Sequence, residues 1–346
     1  MQLQKEITIL SKGNILAIES SCDETSAAVL RDGELASVVI SSQMFHKGYG
    51  GIVPELASRA HAKAIIPIVE ETLKKANISS QEIDAVAVTY APGLMGSLLV
   101  GTNFAKGFAL SLDVPLIGVH HIEAHIFSVL LEEEKPQLPF IALIVSGGHT
   151  LLVLVEDVGK YTILGKTLDD AAGEAFDKVG KMLGLGYPAG PVIDKLATEG
   201  NPSFVQFPRP MMNDANYDFS FSGIKTSMLY YLRDNFSVKE TNVSDVAASF
   251  QRAVVDVLVT KSMRAAREYE VTDIVCVGGV SANSELRARF RDECKRSGKR
   301  FYSPRPLFST DNAAMIAMTG ALKWQRGIIS PLSLQSQPRV PLTEVL

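Results

Sequence analysis

The sequence predicts an α/β protein built from two copies of a similar αβ unit, with a cleft between the halves. Two apolar hairpins carry this prediction: "NILAIESSCDETSAAVL" begins at Asn14, and "FIALIVSGGHTLLVLVE" begins at Phe140. Each joins two short apolar strands through a small polar turn, and about 125 residues separate them. Near the end, "DIVCVGGVSANSELRARF" is a further apolar strand that ends in two glycines and leads into a helix.

The other elements follow in order between these segments. Helical patterns cover 54–76, 95–112, 169–184, 243–269 and 309–324, and apolar strands cover 83–90 and "VPLIGVHH". The helix at 54–76 opens with proline and glutamate and closes with lysines, as the helix dipole favours. Ser244 is the predicted cap of the helix at 243–269. The segment "LEEEKPQLP" at 131–139 is the predicted boundary between the halves.

The composition indicates a well-packed globular protein. With 346 residues, of which 46% are hydrophobic and 21% charged, the chain is long enough for two domains. Its net charge of −4 argues against a surface coated with positive charge. Three cysteines without C-x-x-C spacing indicate reduced thiols. Without a signal-peptide pattern or an uninterrupted apolar span, we expect a soluble, cytoplasmic protein with no membrane partner.

The segment "VHHIEAH" (119–125) holds three of the six histidines. On a helix His121 and His125 share one face, whereas His120 and Glu123 point elsewhere. Two imidazoles are too few for a catalytic metal site, so the pair is either structural or needs a third ligand. Asp311, in the polar cluster "STDN", is the best available carboxylate, although aspartate at a helix start is also a common N-cap.

Glycine turns and nearby carboxylates are the other candidate features. The amides of Gly147 and Gly148 can approach a phosphate closely, although "SGGHT" also suits an ordinary hairpin turn. Because neither a G-x-G-x-x-G fingerprint nor a complete G-x-x-x-x-G-K-[ST] sequence is present, an actin-like nucleotide cleft fits better than a Rossmann or P-loop site. Asp177, Asp194 and the pair Asp23–Glu24 neighbour turns, where capping is their commonest role. "DFSFSGIKTS" either lines a pocket or anchors a loop.

Taken in order, ten segments resemble the tRNA N6-adenosine threonylcarbamoyltransferase family. They are "IESSCDETSAAV", "YGGIVPELASRAH", "APGLMGSLLVG", "VHHIEAH", "ALIVSGGHT", "DDAAGEAFDKVGKMLGLGYPAGP", "FPRPM", "DFSFSGIKTS", "GGVSANSELR" and "STDNAAMIA". The resemblance implies an actin-like ATPase (ASKHA) fold, with two lobes of duplicated RNase H-like αβ units and a central cleft. We expect the N-terminal lobe over 1–134, completed by a C-terminal helix over about 325–346, and the C-terminal lobe over 135–324.

The resemblance also implies the site residues. His121, His125 and Asp311 would hold one divalent metal per subunit, with Fe²⁺ expected ahead of Zn²⁺. The matching substrate-binding positions are Ile144, Val145, Ser146, Gly147, Gly148, Asp177, Gly190, Asp194 and Asn283. Asp23, Glu24 and His149 are hypothetical catalytic proton acceptors. The sequence departs from the family at Ala189, where glycine is usual.

The implied activity is transfer of a threonylcarbamoyl group from threonylcarbamoyl-AMP to N6 of the adenosine at position 37, beside the anticodon, in tRNAs reading ANN codons. A cleft metal would act as a Lewis acid. The implied partners are tRNA, a paralogous TsaB-like subunit that packs on the helix at 54–76, and a P-loop TsaE-like ATPase. Candidate tRNA contacts are Lys47, Arg59, Lys63, Arg287, Arg289 and Arg291.

Three other functions compete with this interpretation. A metalloprotease needs a glutamate beside the metal, and the order of residues in "HIEAH" places Glu123 elsewhere. An actin-like ATPase or sugar kinase explains the glycine turns but leaves the histidine pair without a task. A non-enzymatic scaffold does not explain the polar residues clustered in those turns.

Overall fold

The computed structural model describes residues 5–7, 12–43, 52–235 and 242–345. The strands are β1 (Lys5–Glu6), β2 (Asn14–Glu19), β3 (Glu24–Arg31), β4 (Glu34–Ser42), β5 (Ala85–Ala91), β6 (Leu116–His120), β7 (Gln137–Leu138), β8 (Phe140–Val145), β9 (Thr150–Asp157), β10 (Lys160–Lys166), β11 (Asp273–Val277) and β12 (Arg300–Tyr302). The helices are α1 (Pro54–Ala76), α2 (Met95–Leu112), α3 (His121–Phe127), α4 (Ala172–Met182), α5 (Gly190–Ala197), α6 (Ser222–Asn235), α7 (Val243–Glu268), α8 (Ser284–Arg296), α9 (Pro306–Ser309) and α10 (Ala313–Gln325).

The chain forms two compact units. The N-terminal unit comprises Glu6–Lys135, Asp157–Tyr161 and Thr310–Leu346, and the C-terminal unit comprises Met1–Lys5, Pro136–Glu156 and Thr162–Ser309. Each unit has its own apolar core, in which buried strand residues pack against the helices of that unit.

The two units are built on the same sheet plan. In the described residues the N-terminal unit has a five-stranded sheet in the order β4-β3-β2-β5-β6, where β2, β3 and β4 are antiparallel and β5 and β6 run parallel to β2. The described part of the C-terminal unit has the order β10-β9-β8-β11-β12, where β8 and β9 form the antiparallel hairpin and β11 and β12 run parallel to β8. The predicted duplication of an αβ unit is confirmed.

The first two helices have the predicted bounds. Pro54, whose ring leaves no N–H unpaired, lies in the first turn of α1, and Asn77 ends it in a left-handed conformation with φ of 53°. Both helices pack on the sheet of the N-terminal unit, α1 on β3 and α2 on β5. None of the helices in the described ranges is both long and apolar enough to cross a membrane.

Helix α4 begins further along the chain than predicted, and helix α7 begins where predicted but has a different cap. Helix α4 starts at Ala172 because the Asp169 carboxylate accepts hydrogen bonds from the hydroxyls of Ser220 and Ser222, 2.5 and 2.6 Å away. The Phe219 and Phe221 side chains of the same segment are fully buried, so "DFSFSG" anchors this loop. Helix α7 begins at Val243 after Asn242, so the predicted cap at Ser244 is wrong.

The C-terminal part of the chain differs from the prediction. Helix α10, assigned from sequence to the second lobe, belongs to the N-terminal unit, where it packs on β2, β3 and α3. A further helix over about 325–346 does not occur in the described residues: α10 ends at Gln325, and a short 3₁₀ turn at Leu342–Glu344 follows much later. Proline at positions 331, 338 and 341 disfavours a helix, and Ser330 and Gln337 instead donate backbone hydrogen bonds to Leu116 and Tyr90.

Candidate functional site

The histidine segment lies where strand β6 passes into helix α3, within the N-terminal unit. His120 is the N-cap residue: its Nδ1 accepts a hydrogen bond of 3.2 Å from Ile122 N–H, and its Nε2 lies 3.0 Å from the carbonyl oxygen of Val340. His120 therefore has a structural role, at the start of α3. His121 and His125 share one face of α3, with ring centroids 4.7 Å apart and ring planes at 86°.

Asp311 completes a group of three possible metal ligands. Its Oδ1 lies 3.1 Å from His125 Nε2 and 3.4 Å from His121 Nε2, and one ligand atom from each residue lies within 4.8 Å of the others. Asp311 is not the cap of α10, because Asn312 takes that position and accepts a hydrogen bond from Met315 N–H. The Asp311 carboxylate is therefore available as a ligand.

A buried acid that the sequence analysis missed orients His121. Glu19, at the end of β2, is fully buried and lies 3.2 Å from His121 Nδ1; the Ser21 hydroxyl lies at the same distance. In the neutral imidazole, a carboxylate beside Nδ1 favours a proton on that nitrogen and leaves the lone pair of Nε2 for a metal ion. The only signal in the sequence is a single acid in the apolar run "NILAIE". His125 Nδ1 has no hydrogen-bond partner among the described residues, so packing and the contact of its Nε2 with Asp311 set the orientation of the ring.

The charges of these residues suit a cation. Burial opposes ionisation of Asp311, but the two neighbouring imidazoles hold its pKa well below the usual range. Burial likewise disfavours the charged form of His121, but Asp311 and Glu19 raise its pKa well above the usual value. A proton on His121 therefore balances the two carboxylates in the metal-free protein, and a metal ion would replace that positive charge. Two imidazoles and one carboxylate are a donor set that both Fe²⁺ and Zn²⁺ accept.

Glu123 lies on the same helix but does not face the ligands. Its Oε1 accepts a hydrogen bond of 2.7 Å from the Tyr161 hydroxyl, and its Oε2 lies 3.6 Å from Lys323 Nζ. A metalloprotease needs a glutamate poised to activate water beside the metal. Because Glu123 is fully buried and its carboxylate faces Tyr161 and Lys323, it cannot serve as that base.

Two of the hypothetical proton acceptors, Asp23 and Glu24, lie in the β2–β3 turn of the N-terminal unit. Burial, with the carboxylates of Asp311 and Asp23, raises the pKa of Glu24 to about 9. In the metal-free protein Glu24 is therefore protonated at neutral pH, and a protonated carboxyl cannot accept a further proton. Buried His61, which the sequence analysis also missed, holds this turn through contacts of 2.9 Å with the carbonyl oxygen of Cys22 and 2.8 Å with the Thr25 hydroxyl.

The predicted substrate-binding positions all lie in the C-terminal unit, as does His149, the third hypothetical proton acceptor. Ile144 and Val145 are buried at the end of β8, and the Ser146 hydroxyl accepts from the amides of Gly148 and His149 at 3.3 and 3.1 Å. Among the described residues no protein acceptor takes the Gly147 N–H. A Cβ added at Gly147 or Gly148 would meet no atom within 4 Å, so the turn borders open space. Of the two amides considered for phosphate binding, that of Gly147 is the free one.

The predicted carboxylates and the asparagine hold neighbouring backbone. Asp177 accepts a hydrogen bond of 2.8 Å from Ala189 N–H, immediately before Gly190 at the start of α5. Asp194 accepts from the amide and hydroxyl of Ser284. Asn283 caps α8 and donates 2.7 Å to Gln251. These side chains shape the junctions around Gly190 and Ser284, and their role as substrate contacts stays a prediction.

The departure at Ala189 has a physical explanation. A Cβ added at Gly180 would lie 2.0 Å from the Ala189 Cβ, so the alanine is accommodated because glycine stands opposite it on α4. We expect Gly180→Ala to lower the free energy of unfolding by about 1–3 kcal/mol through overpacking, measured by denaturant titration. Adding Ala189→Gly should recover most of that loss, and a double variant as unstable as Gly180→Ala would contradict this explanation.

The candidate tRNA contacts fall into two groups. Lys47 lies outside the described residues, whereas Arg59, Lys63 and Arg291 are exposed. Arg287 donates hydrogen bonds to the carbonyl oxygens of Ser281 and Pro304, and Arg289 lies 2.9 Å from Asp256. The guanidinium groups of Arg287 and Arg289 therefore have structural partners, which weakens the prediction that they bind phosphate.

Comparison with known sequences gives one consistent result. A family model described as "tRNA N6-adenosine threonylcarbamoyltransferase" (TsaD) matches residues 34–318. Proteins of that name from Chlorobium phaeobacteroides and Syntrophotalea carbinolica are 50% and 51% identical, over 94% and 95% of this chain and 97% of each relative. The one from Clostridium perfringens is 50% identical over 97% of this chain and all of its own length.

Comparison with solved structures shows the fold. HypF from T. kodakarensis aligns with a TM-score of 0.62 at 15% identity, over 94% of this chain and 49% of its own. Component A of (R)-2-hydroxyglutaryl-CoA dehydratase from Acidaminococcus fermentans aligns with a TM-score of 0.55 at 15% identity, over 90% and 97% of the two chains. These are actin-like ATPase folds, so the predicted fold class is confirmed.

Proposed function

Because the chain belongs to the tRNA N6-adenosine threonylcarbamoyltransferase family of acyltransferases, we propose that it transfers a threonylcarbamoyl group from threonylcarbamoyl-AMP to N6 of adenosine 37 in tRNAs reading ANN codons. The observation that carries the proposal is a sequence identity of 50–51% to proteins of this name over nearly their whole length. In the reaction, N6 attacks the carbamoyl carbon and loses a proton. The bond from that carbon to the phosphate oxygen breaks, and AMP leaves with the electron pair.

We further propose that His121, His125 and Asp311 hold one divalent metal, Fe²⁺ ahead of Zn²⁺. The support is the convergence of their ligand atoms and the excess negative charge around them. A metal bound there would supply a Lewis acid for charge developing on the carbamoyl oxygen. Glu19 would keep His121 in the tautomer that binds, and the Glu19–His121 contact would hold that ring in place as substrate enters.

The adenylate is proposed to bind the C-terminal unit. The Gly147 amide and the open space beside Gly147, Gly148 and Gly190 suit a phosphate and its ribose. Asp177 would keep the backbone at Gly190 in position, while Asp194 and Asn283 would do the same for the start of α8. Because exocyclic N6 is a weak nucleophile, holding N6 and the carbamoyl carbon close together and correctly oriented would supply much of the rate acceleration.

We also propose that the chain works with two protein partners. Helices α1 and α2, which pack together, expose the apolar side chains of Ile66, Met95 and Leu99 by 55%, 45% and 43%. Exposed apolar groups on two adjacent helices suit a TsaB-like paralogue. A P-loop TsaE-like ATPase would complete the assembly.

The reaction itself is the test. The protein is incubated with its partners, threonine, bicarbonate, ATP, the enzyme that makes threonylcarbamoyl-AMP, and unmodified tRNA, and the tRNA is then digested to nucleosides. We expect N6-threonylcarbamoyladenosine, with none formed on tRNA in which guanosine replaces adenosine 37. A different product, or equal product on the guanosine tRNA, would refute the proposal.

A further inference from the structure

Glu123 is a buried acid between the two histidine ligands, and its partners join three parts of the N-terminal unit. It lies two residues from His121 and from His125 but faces away from them. Its carboxylate binds Tyr161 in the 157–161 segment and Lys323 on α10. Glu123 is fully buried and Lys323 is 2% exposed, so water screens this ion pair little.

The position of Lys323 gives the pair a geometric consequence. The candidate ligands lie on two elements. His121 and His125 are on α3, and Asp311 lies two residues before α10. Lys323 lies ten residues beyond Ala313, the first residue of α10, which is about 15 Å along the helix axis. Asp311 contacts the two histidines close to the start of α10, and α3 also packs directly on α10. The Glu123–Lys323 contact adds a polar link well away from Asp311 and so further restricts the orientation of one helix on the other.

Stability alone is a weak reason for such a pair. Removing two charges from water is costly, and apolar side chains of similar volume usually stabilise a protein as well or better. The contact of 3.6 Å between Glu123 Oε2 and Lys323 Nζ is electrostatic, since Oε2 accepts no hydrogen bond within the described residues, and it favours arrangements that keep the two charges adjacent. The Tyr161 hydroxyl donates to the other carboxylate oxygen, Oε1, which further restricts the orientation of the Glu123 side chain.

We propose that Glu123 and Lys323 are positioning residues that hold His121 and His125 at the separation from Asp311 required for metal binding. This rests on the metal site proposed above. It gives the glutamate of "HIEAH" a task other than proton transfer, because it sets metal affinity by fixing α3 against α10.

The decisive variant is the double change Glu123→Gln/Lys323→Met. It removes both charges together, so neither is left buried and unpaired, and the amide oxygen of the introduced glutamine still accepts from Tyr161. We expect a melting temperature a few degrees below that of the wild type, because the glutamine NH₂ group is buried against the methionine, and Zn²⁺ affinity about tenfold lower, measured by chelator competition on the full chain. The visible spectrum of the Co²⁺-substituted protein should change as well, because ligand positions differ.

Two controls separate the possible causes. Val69→Ala, in the core of the same unit on α1, should lower the melting temperature and leave the Zn²⁺ affinity unchanged. If the wild type binds Zn²⁺, His125→Ala loses it, and the double variant binds within twofold of the wild type, the positioning role is refuted and the metal site stands. If the wild type binds no Zn²⁺ at these ligands, the metal site fails and the positioning role fails with it.

Discussion

Replacing Asp311 by alanine is expected to abolish stoichiometric metal binding and to lower the rate of threonylcarbamoyl transfer by about 1,000-fold. Asp311 contributes the single carboxylate of the candidate ligand set, 3.1 and 3.4 Å from the two histidine nitrogens. Without it, two imidazoles remain, which is fewer than catalytic zinc and iron sites use. Metal content by elemental analysis and single-turnover transfer on unmodified tRNA give the two measurements.

Asn312→Ala is the matched control for this change. It removes the side chain that caps α10 but leaves the Asp311 carboxylate, so it should cost about 1 kcal/mol of stability and retain the metal. Asp311→Ala keeps the cap and should retain the fold. Transfer at the wild-type rate by a metal-free Asp311→Ala protein would overturn the metal's role.

The sequence could suggest the candidate ligands because two histidines lie one helical turn apart and a carboxylate lies beside a helix start, and the family resemblance implied that these three residues act together. It could not show that Asn312 takes the capping position and leaves Asp311 available. Nor could it show Glu19 beside His121, since that contact joins residues 102 positions apart. Contacts of this range depend on the sheet register and on the packing of helices, which periodicity does not encode.

The duplicated hairpins and helices α1 and α2 were predictable because apolar periodicity and end signals agree there. The assignment of α10 was not. Its pattern shows a buried helix, but only packing on β2, β3 and α3 shows which sheet it covers. The same reason explains Lys323, which in sequence is one lysine near a helix end and in the structure lies 2% exposed beside Glu123.

Metal affinity is expected to rise with pH through neutrality, with protons released as the ion binds. The cause is His121. Burial disfavours its charged form, but Asp311 and Glu19 raise its pKa well above the usual value, so the metal-free protein holds a proton there at neutral pH. The ion must displace that proton. Calorimetric titration of Zn²⁺ in buffers of different ionisation enthalpy measures the number released.

The stability of the metal-free protein should show the opposite dependence. Because the pKa of His121 is raised on folding, its contribution is complete below the unfolded value of about 6.5 and is lost as the pH rises through the folded value. The pKa of Asp311 is depressed, although burial opposes this, so its contribution is present above about 4 and is lost at lower pH. These residues therefore favour the metal-free fold most between about pH 4 and pH 6.5.

Glu19→Gln separates this mechanism from a general pH effect. The variant keeps an oxygen near His121 Nδ1 but removes one of the two charges that raise its pKa, so His121 should titrate closer to its usual value. Proton release on Zn²⁺ binding at pH 7 should then be smaller than in the wild type, and the affinity should stop rising with pH at a lower pH than in the wild type. An unchanged proton count in Glu19→Gln would mean that another group supplies the proton, because only His121 contacts both carboxylates among the described residues of this cluster.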